Sequence, residues 1–161
     1  MSPPPYGGQP PYGGQPPMMP PGGGAMAMQA GNLASPGLRI VGGLIDFVIL
    51  IVVNGIIGAI LQKLVGLAFV VNLVIDVGYL AYMWSSQGAT VGMMVFHFKV
   101  RDKATGQYPT MGKAILRGII WYLEVAFTVC IIGAIGWLWQ LWDPEKQAIH
   151  DKVAGTIVTL N

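Results

Sequence analysis

Three carboxylates stand where carboxylates are expensive. Asp46, Asp76 and Glu124 each fall within or at the edge of a long apolar run. An ionised carboxylate in hydrocarbon is costly even on the gentler insertion scales, so each must be paired, protonated or facing water. Arg39 precedes Asp46 by seven residues, close to two helical turns. The two therefore share a helix face about 10 Å apart along the axis, where a snorkelling arginine and a reaching aspartate can meet or share a water. Asn72, Asp76, Tyr79 and Met83 recur at steps of four, three and four, which makes one polar-tinged stripe. Asn54 in the preceding run is positioned to face that stripe, and Asp46 and Asp76 would then point into one interhelical seam. Two kinds of chemistry suit such a seam. One is a buried hydrogen-bond or ion-pair network that fixes helix register. The other is an ion- or proton-linked site in which Asp46 and Asp76 are the ligands and Arg39 tunes their charge. Glu124 lies near a run end and is expected to reach the headgroups, and His97 is expected to be an exposed residue of a hairpin.

The elements that must position these residues are membrane helices. Of 161 residues 53% are apolar and only 10% charged, where soluble domains carry about a quarter charged residues. Apolar runs cover about 38–62, 64–84 and 118–142, each near or above the roughly 20 residues that cross about 30 Å of hydrocarbon. Unpaired backbone is not tolerated in lipid, so the runs are read as helices. The fold class expected is an all-α transmembrane bundle of about three helices, with a short cytoplasmic hairpin and a disordered N-terminal tail. A turn of a few residues at Lys63 makes the first two runs an antiparallel pair. Gly42, Gly43, Gly55, Gly58 and Ala59 permit close backbone approach on the first. Trp84, Trp121, Tyr122, Trp137, Trp139 and Trp142 fall near the run ends, as interface anchors do.

Basic residues set the orientation. Segment 85–117 carries Lys99, Arg101, Lys103, Lys113 and Arg117 against one acid, Asp102, which places it in the cytoplasm. Three passes would leave the tail cytoplasmic and the C-terminus outside. Within that segment Phe96, Phe98 and Val100 alternate with His97, Lys99 and Arg101, and Asp102-Lys103-Ala104-Thr105-Gly106 reads as a turn, so a local β-hairpin is expected. Residues 110–120 read as an interfacial helix. Asp143-Pro144-Glu145 reads as a helix start, with Gly155 as the stop and Ile157–Leu160 extended.

Residues 1–36 are rich in Pro and Gly, and Tyr-Gly-Gly-Gln-Pro-Pro occurs at 6–11 and again at 12–17. Such a segment cannot bury a face and reads as a disordered tail, with residues 37–161 as the membrane domain. Pro3-Pro4-Pro5-Tyr6 matches a short proline-rich ligand pattern. Residues 1–38 bear no charge, so no cleavable signal peptide is expected and the first helix would serve as an uncleaved anchor. A net charge of +2 leaves no nucleic-acid footprint. Cys130 stands alone in an apolar run and reads as a small hydrophobe. No nucleophile–base pair, metal cluster or cofactor motif is present in the sequence, and neither catalysis nor a cofactor is expected. The partners expected are the lipid bilayer, further copies of the chain or a membrane complex, and a protein that binds the tail.

Three further stretches carry a resemblance. Arg39 followed by Asp46 at the head of the first helix, Gly88-Ala89-Thr90-Val91-Gly92 after the second, and His150-Asp151-Lys152-Val153-Ala154-Gly155-Thr156 near the end resemble the RDD family of bacterial membrane proteins. That family is named for one arginine and two aspartates, and the resemblance implies Arg39, Asp46 and Asp151 as those residues. Asp76, Asn72, Asn54, Thr90 and His150 are the accessory candidates. The family usually has a lysine after the second glycine, where this chain has Met93. The resemblance implies a membrane domain over roughly 35–161 and, for activity, transport or ion exchange. If Arg39 and Asp151 act together they must lie on one side of the bilayer, which three full passes forbid. A re-entrant third segment, bent near Gly133 and Gly136, would reconcile them.

Overall fold

The structure is a computed structural model and describes residues 32–160. The tail expected over residues 1–36 therefore lies almost wholly outside the described residues.

Two long helices form the frame. Helix α1 spans Pro36–Ile60 and helix α2 spans Val65–Ser86. Pro36 opens α1, where its missing N–H costs nothing and its fixed φ suits the helix. At 25 and 22 residues they run about 38 and 33 Å at 1.5 Å per residue. Both are long and apolar enough to cross a membrane, and most of each lies at the protein surface. Val48, Ile56, Ile60, Val65 and Val74 are each more than half exposed, an apolar exterior of the kind that marks a membrane or protein contact. The turn at 61–64 makes the pair antiparallel, as the sequence predicts.

The third apolar run is not a third long helix. Helix α4, Met111–Ala126, packs mainly on α2 and stops after 16 residues. A 3-10 turn over Phe127–Cys130 follows, and Ile131 takes a left-handed backbone (φ 68°) that reverses the chain. A β-branched residue rarely accepts this conformation. Helix α5, Ile132–Leu138, then returns along the end of α4. The close fit depends on glycine: a Cβ at Gly133 would run into the Glu124 carbonyl, and one at Gly136 would come within 3.2 Å of the Glu124 carboxylate. Thirty residues are too few for two full spans, and the chain resolves this by folding back.

Helix α3, Val91–Val95, leads into strand β1, Phe98–Asp102. The inward alternation of Phe98 and Val100 is as predicted, and Phe96 stacks on Phe98 at 5.9 Å. The predicted local hairpin is not formed. β1 pairs antiparallel with strand β2, Thr156–Leu160, in the register Phe98↔Leu160 to Asp102↔Thr156. Asp102 turns inward and accepts from the Ala104 N–H, and its backbone bonds to Gly106 and Gln107 close a turn after which no second strand follows. Asn32–Ala34 line the other edge of β2, with Ala34 N–H donating to the Val158 carbonyl and Leu160 N–H to the Asn32 carbonyl. Asn32–Ala34 are thus part of the same end of the fold as β1 and β2.

Helix α6, Ile149–Ala154, ends on Gly155 with φ 64°, the stop that the sequence predicts. Its start is later than predicted. Asp143 instead accepts from the N–H groups of Glu145 and Gln147 and closes a turn. Because β2 lies between β1 and Asn32–Ala34, the head of α1, the 88–110 loop and the C-terminal strand share one end of the molecule. The expected placement of the C-terminus at the opposite end does not hold.

Candidate functional site

Helix α1 brings Arg39 and Asp46 to the shared end on one face, as their spacing requires, but they do not pair with each other. Arg39 forms an ion pair with Asp151 of α6 and donates to the Lys146 carbonyl. Arg39 and Asp151 are thus in direct contact, 112 residues apart in the chain. Asp151 is completely buried, and its other oxygen takes Arg117 Nη2 of α4 at 2.6 Å. The carboxylate also accepts from the Ala148 N–H at 3.1 Å, which ties down the start of α6. Burial by itself would push the Asp151 carboxyl up. Arg117, then Arg39 and His150, more than offset this and hold it well below the ordinary carboxylate range.

Arg117 escaped the sequence reading, which counted it only as a topology signal. It is 2% exposed and lies over the Trp84 indole with its guanidinium carbon 4.2 Å from the ring centroid. Its place one residue before the third apolar run was the available signal. Trp84 and Trp121, predicted as interface anchors, are core residues, whereas Trp139 and Trp142 are well exposed and meet edge-on at 5.8 Å.

Asp46 has a separate set of partners. Thr90 donates to one oxygen at 2.5 Å, while the Gly92 N–H at 2.9 Å and the Tyr79 hydroxyl at 3.1 Å donate to the other. This explains the Gly-x-Thr-x-Gly stretch physically. Gly88 holds φ 68° at the end of α2, and Thr90 supplies a hydroxyl. Gly92 lets the backbone of α3 lie directly on Gly42 of α1, since a Cβ there would collide with the Gly42 carbonyl. Gly43 likewise sits under the Trp137 ring, but Gly55 and Gly58 face open space and make no close helix contact.

Halfway along the helical pair, Asn54 donates to Asp76 at 3.0 Å across the α1–α2 seam. The predicted stripe therefore meets its partner, and Tyr79 extends it to Asp46. Asp76 is 3% exposed, and its second oxygen has no partner, nor do the side-chain oxygens of Asn54 and Asn72. Glu124 departs from expectation: it is buried, accepts from the His150 N–H at 3.1 Å and pairs with His150 Nδ1 at 2.6 Å. The return of α5 and α6 onto α4 encloses it.

Two polar pockets result. One, about 40 Å³, is lined by Arg39, Asp46, Thr90, Arg117 and His150. The other, about 200 Å³, is lined by Asn54 and Asp76 among apolar side chains. Trp121 borders both. Among the described residues no group of three or more His, Cys, Asp or Glu side chains is arranged to hold a metal ion.

The model of the RDD family matches residues 33–155. The chain belongs to the RDD family. It is 32% identical over 92 residues to an uncharacterized protein, RP437, of Rickettsia prowazekii (strain Madrid E), a stretch that covers 57% of this chain and 48% of that protein. It is 32% identical over 76 residues to a proline-rich antigen of Mycobacterium leprae (strain TN), covering 47% of this chain and 28% of the antigen. A proline-rich antigen homolog of Mycobacterium tuberculosis (strain ATCC 25618 / H37Rv) is 31% identical over 94 residues, covering 54% of this chain and 37% of the homolog. The match thus spans less than half the length of each of these relatives. No solved structure matches the chain. Arg39 and Asp151, which pair with each other, both lie within the matched residues.

Proposed function

We propose that this RDD protein is a multi-pass cell-membrane component of ion-linked transport, in which Asp76 is the ion- or proton-exchanging group. In this reading α1 and α2 cross the bilayer, and the α4–α5 segment enters and returns. The tail, the basic loop and the C-terminus then share the cytoplasmic side. The charge distribution supports it, since Lys146 and Lys152 join the basic loop on that side and Lys63 is alone at the opposite turn.

The observation that carries the proposal is the pair of pockets with buried carboxylates on their walls, sharing Trp121 as a lining residue, inside a protein with an apolar exterior. Buried ionisable groups beside a cavity mark ion pathways in membrane proteins. Asp46 has three donors and little freedom to exchange an ion, whereas Asp76 keeps an open oxygen beside the larger pocket. A domain this small supplies half a route at most, so the working form is a homo-oligomer or a membrane complex. The role is non-enzymatic and needs no cofactor; His150 is committed to Glu124 and is not poised as a base.

The test is proton and sodium flux into vesicles reconstituted with the full chain. Asp76→Asn should abolish the flux while leaving folded yield unchanged. Flux equal to the unaltered protein would exclude the assignment.

A second reading has its own support. The Arg39–Asp151–Arg117 cluster joins the first and last helices of the domain, as expected of a membrane scaffold whose charges only hold it together. Under that reading no flux accompanies the protein, and deleting residues 1–30, which leaves Asn32–Ala34 on β2, abolishes capture of a tail-binding partner.

A further inference from the structure

The arginine pocket has an excess of unused donors. Arg117 Nε and Nη1 have no hydrogen-bond partner although the side chain is 98% enclosed, and Trp84 Nε1 has none either. All three belong to residues that line the same small pocket. Buried donors in native proteins are almost always paired, so unpaired ones at a cavity point to something bound there. Two guanidinium groups, Arg39 and Arg117, line the cavity, with Asp46 as the acid on its wall, while the carboxylates of Asp151 and Glu124 pair with Arg39, Arg117 and His150 from outside the lining. Asp151 stands behind the arginines and does not reach the space. Both Asp46 oxygens are already occupied by Thr90, Gly92 and Tyr79, so the acid balances charge without filling the site.

We infer that this pocket binds a small monovalent anion of halide size, held by Arg117 Nε and Nη1 and by the Trp84 N–H. A volume of about 40 Å³ admits one halide and about one water. Phosphate and sulfate are too large. The Gln140 side-chain oxygen, an unpartnered acceptor on the same wall, suits the accompanying water. The guanidinium lies over the indole and is anchored by Asp151, so its donors are held in place before any anion arrives. The site does not depend on transport. Binding is read in detergent without a gradient, so its failure and the failure of the flux assay are separate results.

The experiment is bromide quenching of tryptophan fluorescence in the purified full chain, with chloride as a competitor. A saturable component should appear, be relieved by chloride, and be unaffected by phosphate or sulfate. Trp84→Phe keeps the stacking ring and should remove the saturable component. Arg117→Lys should weaken binding at least tenfold. Asp46→Asn keeps one acceptor, for the Tyr79 hydroxyl and the Gly92 N–H, turns its N–H₂ toward the Thr90 hydroxyl oxygen, removes the opposing charge and should tighten binding roughly tenfold. Quenching that rises linearly with bromide and ignores chloride would mean that the pocket holds only water, and the inference would be overturned. Competition by phosphate equal to that by chloride would equally overturn it. If Arg117→Lys fails to fold, the Trp84→Phe and Asp46→Asn results still decide.

Discussion

Replacing Asp151 by asparagine should be among the most damaging isosteric changes available in this domain. The carboxylate presents one oxygen to Arg117 at 2.6 Å, and the other to Arg39 and the Ala148 N–H. An asparagine has a single acceptor, so in either rotamer its amide N–H₂ must face a guanidinium donor. Charge loss adds to this, because Arg39 and Arg117 would share a fully enclosed site with no counterion between them. Breaking a buried pair by removing one partner costs about 3–5 kcal/mol, against a total stability on the order of 5–15 kcal/mol. The assay is unfolding by sodium dodecyl sulfate in mixed micelles. Tryptophan fluorescence is a direct reporter there, since Trp84 lies against Arg117. Arg117→Met alone should cost less, because the Arg39–Asp151 pair remains. The double variant Arg117→Met/Asp151→Asn should be less damaged than the two losses summed. An Asp151→Asn protein within about 1 kcal/mol of the unaltered chain would refute the claim that these charges are mutually dependent.

Other predictions test neighbouring parts. Gly92→Ala places a Cβ into the Gly42 carbonyl and 3.0 Å from the Asp46 carboxylate; it should cost about 2–3 kcal/mol in the same micelle titration, whereas Gly55→Ala, which meets nothing, should be neutral. Gly155→Ala forces a side chain onto φ 64° and should cost about 1–2 kcal/mol, seen as a lowered unfolding midpoint. Burial pushes the Asp102 carboxyl up, but Lys113 at 2.6 Å outweighs it and leaves it below its ordinary value. A depressed folded value means that the pair contributes at neutral pH and that its contribution fades as pH falls through the folded value. Lys113 is more than a third exposed, so Lys113→Ala should cost under about 1 kcal/mol at pH 7 and less in acid.

The seam between the two long helices was readable from residue spacing. A period near 3.6 put Asn72, Asp76 and Tyr79 on one face, and both Asn54 and Asp46 meet that face. Arg39 defeated the same logic, because a shared helix face does not fix a partner; Asp151, distant in the chain, supplies a buried carboxylate that Asp46 could not. Strand β1 announced itself by alternation, but alternation says nothing about which segment pairs with it, and β2 arrives from the far end of the sequence. The third apolar run was long enough to read as a span. What broke it was the close approach of Gly133 and Gly136 to α4, a packing fact invisible in composition. Arg117 and Trp84 looked like surface residues by type and position, yet both are buried, the guanidinium lying over the indole and paired with Asp151.

The most direct trial of the whole arrangement is sidedness. In a background with Cys130→Ala, single cysteines at Leu160, Ala104 and Lys63 would be labelled by an impermeant maleimide in sealed vesicles. Leu160→Cys and Ala104→Cys should label from the same side, and Lys63→Cys from the other. Labelling of Leu160→Cys together with Lys63→Cys would mean a full third pass, and would separate Arg39 from Asp151.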